Sequence, residues 1–388
     1  MMKKKVCILG LGHIGLPTAC LLASSGYEVL GIDINPRVVS QIQSASFCYS
    51  EPGLQDLIQT AIYKGFLKVS TLPTQADIFI IAVPTPLNTD KSADVSSVNS
   101  AVEAISPYIR KNNLILIEST CPIGTTDSMA SRLQKTCSEV HIAYCPERVL
   151  PGNILHELIH NDRVVGGIDK ISTSFAKAFY QSFVQGEILS TNARTAEAVK
   201  LSENAYRDIN IAFANELSMI ASRTHLDIDE LIRLANRHPR VEILAPGPGV
   251  GGHCIAVDPW FLASAAPDLA GLIQKARKVN EKKTDWVIQR IKETIKETNT
   301  KVIACLGLTY KPNVSDIRES PALKIVEALE KEFTVLRVDP YVPRTESLDD
   351  ALRLADMIVG LVGHKAFQKI SKNNLIGKHV LDFAGVFK

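Results

Sequence analysis

Lys5-Val-Cys-Ile-Leu-Gly10-Leu-Gly-His-Ile-Gly15-Leu-Pro-Thr-Ala-Cys20-Leu-Leu-Ala-Ser-Ser25-Gly-Tyr-Glu-Val-Leu30-Gly-Ile-Asp33 is the stretch that decides the fold. Lys5 to Leu9 is β-rich, and Leu16 to Ser25 has helical spacing closed by Gly26. Glu28 to Ile32 is a second apolar strand ending in Asp33, eighteen positions after Gly15. Strand, G-x-G-x-x-G, helix, strand and acid in this order predict a dinucleotide-binding βαβ unit. Gly10 permits the tight turn, Gly12 lets the backbone approach a pyrophosphate, and Gly15 packs helix against strand. The N–H groups of the helix N-terminus then face the phosphates. Asp33 suits a ribose 2′-OH and repels a 2′-phosphate, so NAD is expected over NADP, with Arg37 nearby acting against that preference.

The rest of the chain sets the frame. At 388 residues it is long enough for two or three domains. Its 46% hydrophobic and 22% charged content excludes a disordered or fibrous protein. With 43 Lys+Arg against 41 Asp+Glu, mixed along the chain, neither a nucleic-acid nor a membrane-surface partner is expected. The cysteines at 7, 20, 48, 121, 137, 145, 254 and 305 form no C-x-x-C pair and read as reduced, mostly buried thiols of a cytoplasmic protein. The basic start (Lys3, Lys4, Lys5) and the small residues Ala23-Ser24-Ser25 imitate a signal peptide, but Gly10, Gly12, His13, Gly15 and Pro17 interrupt its apolar run.

The alternation of strand and helix continues. Ala76–Val83 reads as a strand ending in Pro84-Thr85-Pro86, Ser96–Tyr108 as a helix, and Leu114–Glu118 as a strand ending in Ser119-Thr120. Val140–Tyr144 is a strand that runs into Cys145-Pro-Glu-Arg148. Strand carboxyl ends border the ligand crevice of a doubly wound sheet, which puts Thr85, Thr120 and Glu147 there; plain loop polarity explains them equally well. His156-Glu-Leu-Ile-His160 matches the zinc-protease H-E-x-x-H pattern. Pro151-Gly152-Asn153 and Asn161-Asp162 leave it barely two turns and a third ligand is wanting, so solvated helix histidines and no metal are expected.

Thr195–His225 has no Pro or Gly and a 3.6-residue apolar pattern, which predicts one long helix. Lys200, Asn204 and Arg207 share one face of it, and the surrounding Val199, Leu201, Ala205, Ile211, Ala212 and Ala214 predict a buried helix with one polar face. A lysine so placed can relay a proton or stabilise an oxyanion. Next comes Ala245-Pro-Gly-Pro-Gly-Val-Gly-Gly-His-Cys254-Ile-Ala-Val-Asp258-Pro-Trp260, a glycine loop able to wrap a ligand and display Cys254 as a nucleophile, with Asp258 one helical turn on. A charged helix over 281–298 leads to strand Lys301–Leu308, helix Pro321–Lys331, strand Thr334–Asp339, helix Leu348–Ala355, and strands Met357–Val362 and Val380–Phe383. The fold class is α/β, with two Rossmann-like doubly wound domains joined by a helical central domain.

Cys145-Pro-Glu-Arg148, Lys200-Leu-Ser-Glu-Asn204, Gly249-Val-Gly-Gly-His-Cys254 and Gly307-Leu-Thr-Tyr-Lys-Pro-Asn-Val-Ser-Asp-Ile-Arg318 stand in the order of one known family. Over essentially its whole length the chain resembles the UDP-glucose/GDP-mannose dehydrogenase family. The resemblance implies an NAD-binding domain over 1–190, a central helical domain over 191–298 and a UDP-sugar-binding domain over 299–388. It also implies oxidation of a sugar C6 alcohol to a carboxylate with two NAD⁺ in sequence, supplying a uronate for surface polysaccharide. Tyr206–Glu216, Asn236–Val241 and His253–Trp260 point within the family to UDP-N-acetyl-D-mannosamine as substrate, with UDP-N-acetylglucosamine or UDP-glucose as alternatives.

By the same resemblance Cys254 captures the aldehyde as a thiohemiacetal that is oxidised to a thioester. Lys200 and Asn204 stabilise the oxyanion or relay its proton, Thr120 and Glu147 position the hydrolytic water, and Asp258 supports proton transfer. NAD contacts carry over to His13, Ile14, Asp33, Thr85, Thr120 and Arg318. Substrate contacts carry over to Arg148, Val149, Lys200, Asn204, Arg207 and His238, and likewise to Arg240, Gly251, Tyr310 and Lys311. In relatives the His238–Arg240 arm reaches the partner subunit's site, so a homodimer or larger assembly is implied. His13 departs from the family's usual tyrosine. Two other classes compete. A two-electron hydroxyacid dehydrogenase needs neither Cys254 nor a second nucleotide domain, and a non-catalytic nucleotide-sugar binding protein has no use for Lys200 and Cys254 together.

Overall fold

The computed structural model describes residues 4–46 and 51–387; Lys3 of the basic N-terminal run and Cys48 lie outside them. The chain divides into two compact units between Ser202 and Glu203.

In the first unit the described residues form one eight-stranded sheet: β1 (Lys5–Leu9), β2 (Glu28–Ile32), β3 (Leu67–Ser70), β4 (Ile78–Ile81), β5 (Leu114–Ile117), β6 (His141–Tyr144), β7 (Arg163–Gly167) and β8 (Ile188–Asn192). The order is β3-β2-β1-β4-β5-β6-β7-β8, and only the β6–β7 pair is antiparallel. Period-two alternation sends Val6 and Ile8 into one apolar cluster and Cys7 and Leu9 into another. β4 and β5 split the same way, so the sheet is covered on both faces, as parallel sheets require. The strand order reverses between β1 and β4, which opens the crevice at their carboxyl ends.

The second unit repeats this plan on a smaller scale. Among its described residues β9 (Val302–Leu306), β10 (Thr334–Val338), β11 (Met357–Gly360) and β12 (His379–Asp382) pair in the order β10-β9-β11-β12, all parallel. Ile303 and Cys305 face one cluster, Ala304 and Leu306 the other. The expected α/β class with a helical centre holds.

The long helix runs over Ala193–Arg223, against the 195–225 expected, and a second long helix spans Gly271–Thr298, ten residues earlier than the charge pattern suggested. The first is not buried all round: within the second unit Tyr206, Phe213 and Ile220 are 69%, 54% and 51% exposed, seven residues apart on one stripe. Alanines and Leu201 had concealed that stripe, because an apolar residue in sequence reads as core whichever way it faces.

Polar groups join the two helices inside the second unit. Arg277 donates to Asp208 at 2.6 Å, both buried, and Asn280 donates to the same carboxylate at 2.8 Å. Lys283 donates to Ser218 Oγ at 2.7 Å and lies 4.0 Å from the Trp286 ring centroid. Burial brings the Lys283 ammonium down to about 7. An unfolded lysine keeps its proton to about pH 10.4, so between those values the unfolded chain holds the extra proton and stability rises with pH. Lys283→Met is expected to remove that rise: its stability advantage over the parent should be largest at or below pH 7 and shrink towards pH 10, measured by denaturant titration across that range.

Candidate active site

Three glycines shape the first turn, each for a different steric reason. Gly10 has φ +93°, and a Cβ there would stand 2.4 Å from Ala82 O; a Cβ on Gly15 would stand 1.8 Å from Gly10 O. Both positions are closed to any side chain. A Cβ on Gly12 would meet nothing within 4 Å, which leaves the approach a pyrophosphate needs. The helix Gly15–Ser24 has no side-chain cap at its N-terminus, where Leu16 N–H turns back to Gly12 O at 3.3 Å and Pro17 has no N–H to give. Gly10 N–H donates to Ile32 O at 2.8 Å, and Asp33 accepts from Leu11 N–H at 3.1 Å and Asn35 N–H at 2.9 Å. The acid is thereby held beside the turn. His13 and Arg37 are exposed, Ile14 and Thr85 half-buried. This cradle fits NAD.

The ends of β4, β5 and β6 are tied together by residues the sequence reading passed over. Ser119 Oγ accepts from Val83 N–H at 2.9 Å and donates to Val83 O at 2.8 Å, fixing the loops that carry Thr85 and Thr120. Buried Glu147 pairs with buried Arg163. Lys200 Nζ donates to the Glu147 carbonyl at 2.7 Å, which brings two expected residues together. Glu118 is buried, accepts from Tyr180 O–H at 2.7 Å through Oε1, and its Oε2 has no hydrogen-bond partner among the described residues. Burial first, then the Glu147 carboxylate, hold the Glu118 carboxyl up at about 7. Arg148 donates to the Asp162 carbonyl, and Val149 is half-buried beside it. Arg163 opens a Val-Val-Gly-Gly run, and a lone arginine on an apolar strand was the one available signal for this cluster.

In the second unit the glycine loop is built by close approach. A Cβ on Gly251 would lie 2.4 Å from Glu319 O, and Gly252, at φ +80°, leaves 2.7 Å to the Tyr310 ring. Gly252 N–H donates to Arg318 O at 3.2 Å. Cys254 is half-buried, and its carbonyl accepts from Val257 and Asp258 N–H at 2.9 and 2.8 Å, which starts the helix Asp258–Ala265. Lys311, Arg318 and Tyr310 all interact electrostatically with Cys254. Asn204 Nδ2 donates to Asp258 Oδ2 at 2.6 Å, a pairing of two expected residues. Arg318 is itself clamped by Asp316 at 2.6 Å. Arg207 is exposed and interacts electrostatically with Lys311. His238 and Arg240 are exposed on a tight loop, where Asn236 exchanges hydrogen bonds with Ile243 at 2.8 and 3.0 Å.

His156 and His160 stack at 4.1 Å, both exposed, and Glu157 accepts from Leu150 N–H at 2.8 Å. Among the described residues no group of three His, Cys, Asp or Glu side chains is arranged to hold a metal.

Glycines that admit a pyrophosphate, beside an acid placed for a ribose, make the first unit an NAD-type dinucleotide-binding domain. Comparison with known proteins extends this to the whole chain. The UDP-glucose/GDP-mannose dehydrogenase family models match in three consecutive parts: the NAD binding domain over 4–184, the central domain over 194–282 and the UDP binding domain over 304–388. A UDP-N-acetyl-D-mannosamine dehydrogenase of Methanocaldococcus jannaschii is 48% identical over 380 residues, covering 96% of this chain and 88% of the relative. An NDP-N-acetyl-D-galactosaminuronic acid dehydrogenase of Ralstonia solanacearum is 44% identical over 407 residues, covering 99% and 96%. The solved UDP-D-ManNAc dehydrogenase of Pyrococcus horikoshii superposes with a TM-score of 0.93 at 38% identity, covering 99% and 96%. The chain belongs to the UDP-glucose/GDP-mannose dehydrogenase family and is an NAD-dependent oxidoreductase.

The Glu118 carboxyl gives a test of the first-unit cluster. Its native state holds a proton that the unfolded chain releases near pH 4.3, so this contribution to stability is complete below that value and is lost as pH rises through about 7. Glu118→Gln keeps the shape without the titration. Relative to the parent it should gain stability steadily from pH 4.5 to 7 and hold a constant gap above, as read from denaturant melts.

Proposed function

We propose that this chain oxidises the C6 alcohol of UDP-N-acetyl-D-mannosamine to UDP-N-acetyl-D-mannosaminuronate in a four-electron reaction, as a cytoplasmic step towards surface polysaccharide. The observation that carries the chemistry is Cys254, half-buried at the end of a glycine loop with Lys311 and Arg318 acting on it. The sugar rests on the full-length likeness to relatives that bear that substrate in their names. The Ralstonia solanacearum relative, 44% identical over 407 residues, favours a second reading in which the sugar is the galacto epimer.

NAD bound at the Gly10–Gly15 turn and Asp33 supplies a hydride acceptor for each two-electron step. The rest falls to the chain. Cys254 as thiolate adds to the C6 aldehyde carbon, because an aldehyde has no hydride to give until a nucleophile makes it tetrahedral. Lys200 and Asn204 stabilise the oxygen that becomes negative in that addition. Thr120 and Glu147 orient the water that cleaves the thioester, with Glu147 held in place by its pairing to Arg163. Asp258, bound to Asn204, holds that amide in place. Arg148, Val149, Arg207, Gly251, Tyr310 and Lys311 grip the UDP-sugar, and Arg318 contributes to the NAD site.

We further propose a homodimer at least. Its support is the Tyr206, Phe213 and Ile220 stripe, and the loop that carries His238 and Arg240 into solvent. The proposed division of labour is NAD binding over 1–190, the reactive centre over 191–298 and UDP-sugar binding over 299–388.

A panel of UDP-sugars with NAD⁺ tests the reaction: two NADH per UDP-N-acetylmannosamine are expected, and faster turnover of UDP-N-acetylgalactosamine, UDP-N-acetylglucosamine or UDP-glucose would reassign the sugar. Cys254→Ala should bind NAD⁺ and UDP as the parent does while uronate formation falls by about three orders of magnitude or more. Near-parental acid formation by this variant would refute covalent capture.

A further inference from the structure

The two sheets carry the same turn at the end of their first strand, and the difference between the copies is informative. Gly10 and Gly307 have φ +93° and +97°. Each donates its N–H at 2.8 Å to the last residue of the neighbouring strand, Ile32 or Val338. Asp33 accepts from Leu11 N–H at 3.1 Å, and Asp339 accepts from Leu308 N–H at 2.7 Å. Each acid also takes the N–H two residues on, from Asn35 and Tyr341, at 2.9 and 2.8 Å. Asp33 is half-buried, whereas Asp339 is 3% exposed and its Oδ2 lies 3.0 Å from Nε2 of His364. The place a ribose hydroxyl takes on the first acid is filled on the second by an imidazole from the chain itself.

That imidazole does more than fill space. His364 is 1% exposed, and Asn313 N–H donates to its Nδ1 at 2.9 Å. A backbone N–H can only donate, so Nδ1 carries no proton and the ring hydrogen lies on Nε2, pointed at Asp339 with Thr309 Oγ1 at 3.3 Å. The Thr309 hydroxyl spends its own hydrogen on Lys311 O at 2.9 Å. Asn313 adopts φ +61°, and its Oδ1 accepts from Lys365 N–H at 2.9 Å and Tyr341 O–H at 3.3 Å. The segment from Leu308 to Asn313 is thus tied near both ends to one ring and its carboxylate. Tyr310 and Lys311 lie between the ties, and the Tyr310 ring packs on Gly252, two residues before Cys254.

We infer that His364 is a positioning residue for the sugar-nucleotide site: by joining Asp339 to the Asn313 N–H it fixes the loop that presents Tyr310 and Lys311 to the UDP moiety, and it withdraws Asp339 from any ribose-binding role. The inference rests on the UDP-sugar reading and adds a residue to it. His364→Leu fills the space without donor or acceptor, and His364→Asn restores an acceptor near the Nδ1 position.

The test measures UDP and NAD⁺ binding by calorimetry and amide hydrogen exchange over residues 308–313, with the 10–15 turn as internal control. His364→Leu should weaken UDP binding about tenfold or more and speed exchange in 308–313, with NAD⁺ affinity and the control turn unchanged; His364→Asn should recover much of both. Should His364→Leu fail to fold, His364→Asn carries the test through an intermediate loss of UDP affinity. Parental UDP affinity and parental loop exchange in a folded variant would overturn the proposal. A parent chain that binds NAD⁺ but not UDP would overturn the reading beneath it, and the exchange arm separates that failure from failure of the His364 lock.

Discussion

Everything in this chain hangs on how a parallel strand ends. A strand buried on both faces must turn away at its carboxyl end without leaving buried N–H groups unmet. Here the turn is closed by a glycine N–H on the neighbouring strand's last carbonyl and by an acid on the next N–H. The arrangement needs φ near +95° and no Cβ, hence Gly10 and Gly307. Because the same device holds both sheets, the side chain facing each acid decides what the turn can do. Asp33 is left half-buried, whereas Asp339 is closed over by the His364 imidazole, which also takes the Asn313 N–H of the loop beyond it.

A second constraint lies between the long helices of the second unit. Asp208, Arg277 and Asn280 are buried together, and breaking such a pair by removing one partner costs about 3–5 kcal/mol, far more than the pair contributes against an apolar substitute. Its value is in register. Asn215 donates to Asn280 at 2.9 Å while accepting from Gly247 N–H at 2.9 Å, and Thr284 donates to Pro248 O at 3.0 Å. Sliding either helix by a turn would unsatisfy the start of the glycine loop that displays Cys254. The Cys254 loop is placed by buried amides of Asn215 and Asn280.

What the sequence disclosed follows from which signals are local. The glycine fingerprint, Asp33, the glycine-cysteine loop and the long helices are written in consecutive residues, and their boundaries fell within a few positions except at Gly271. The strands β3, β7 and β8 escaped notice because β3 is four residues on an edge, β7 mixes a buried arginine with two glycines, and β8 is largely exposed. Tyr180, His364 and the pairing of Arg163 were illegible for another reason. Each acts through a partner 16 to 62 residues away, a distance over which one sequence carries no pairing information. The exposed stripe on the Ala193–Arg223 helix was invisible because apolar composition does not say which face meets water.

The cysteines show why position matters more than residue type. Burial pushes the thiols of Cys7, Cys20, Cys145 and Cys305 up to about 12, which keeps them as thiols at neutral pH. Cys145 makes the comparison sharp, because Arg163 Nη1 lies 3.8 Å from its sulfur. A guanidinium in contact favours the anion, yet desolvation outweighs it. A cation is therefore insufficient by itself to make a nucleophile in this protein. Water must also reach the sulfur to share in solvating the charge, and close-approach glycines are a means of bringing a thiol to the edge of a packed loop without side chains crowding over it. Cys254 combines partial exposure, two cations and that glycine-lined approach.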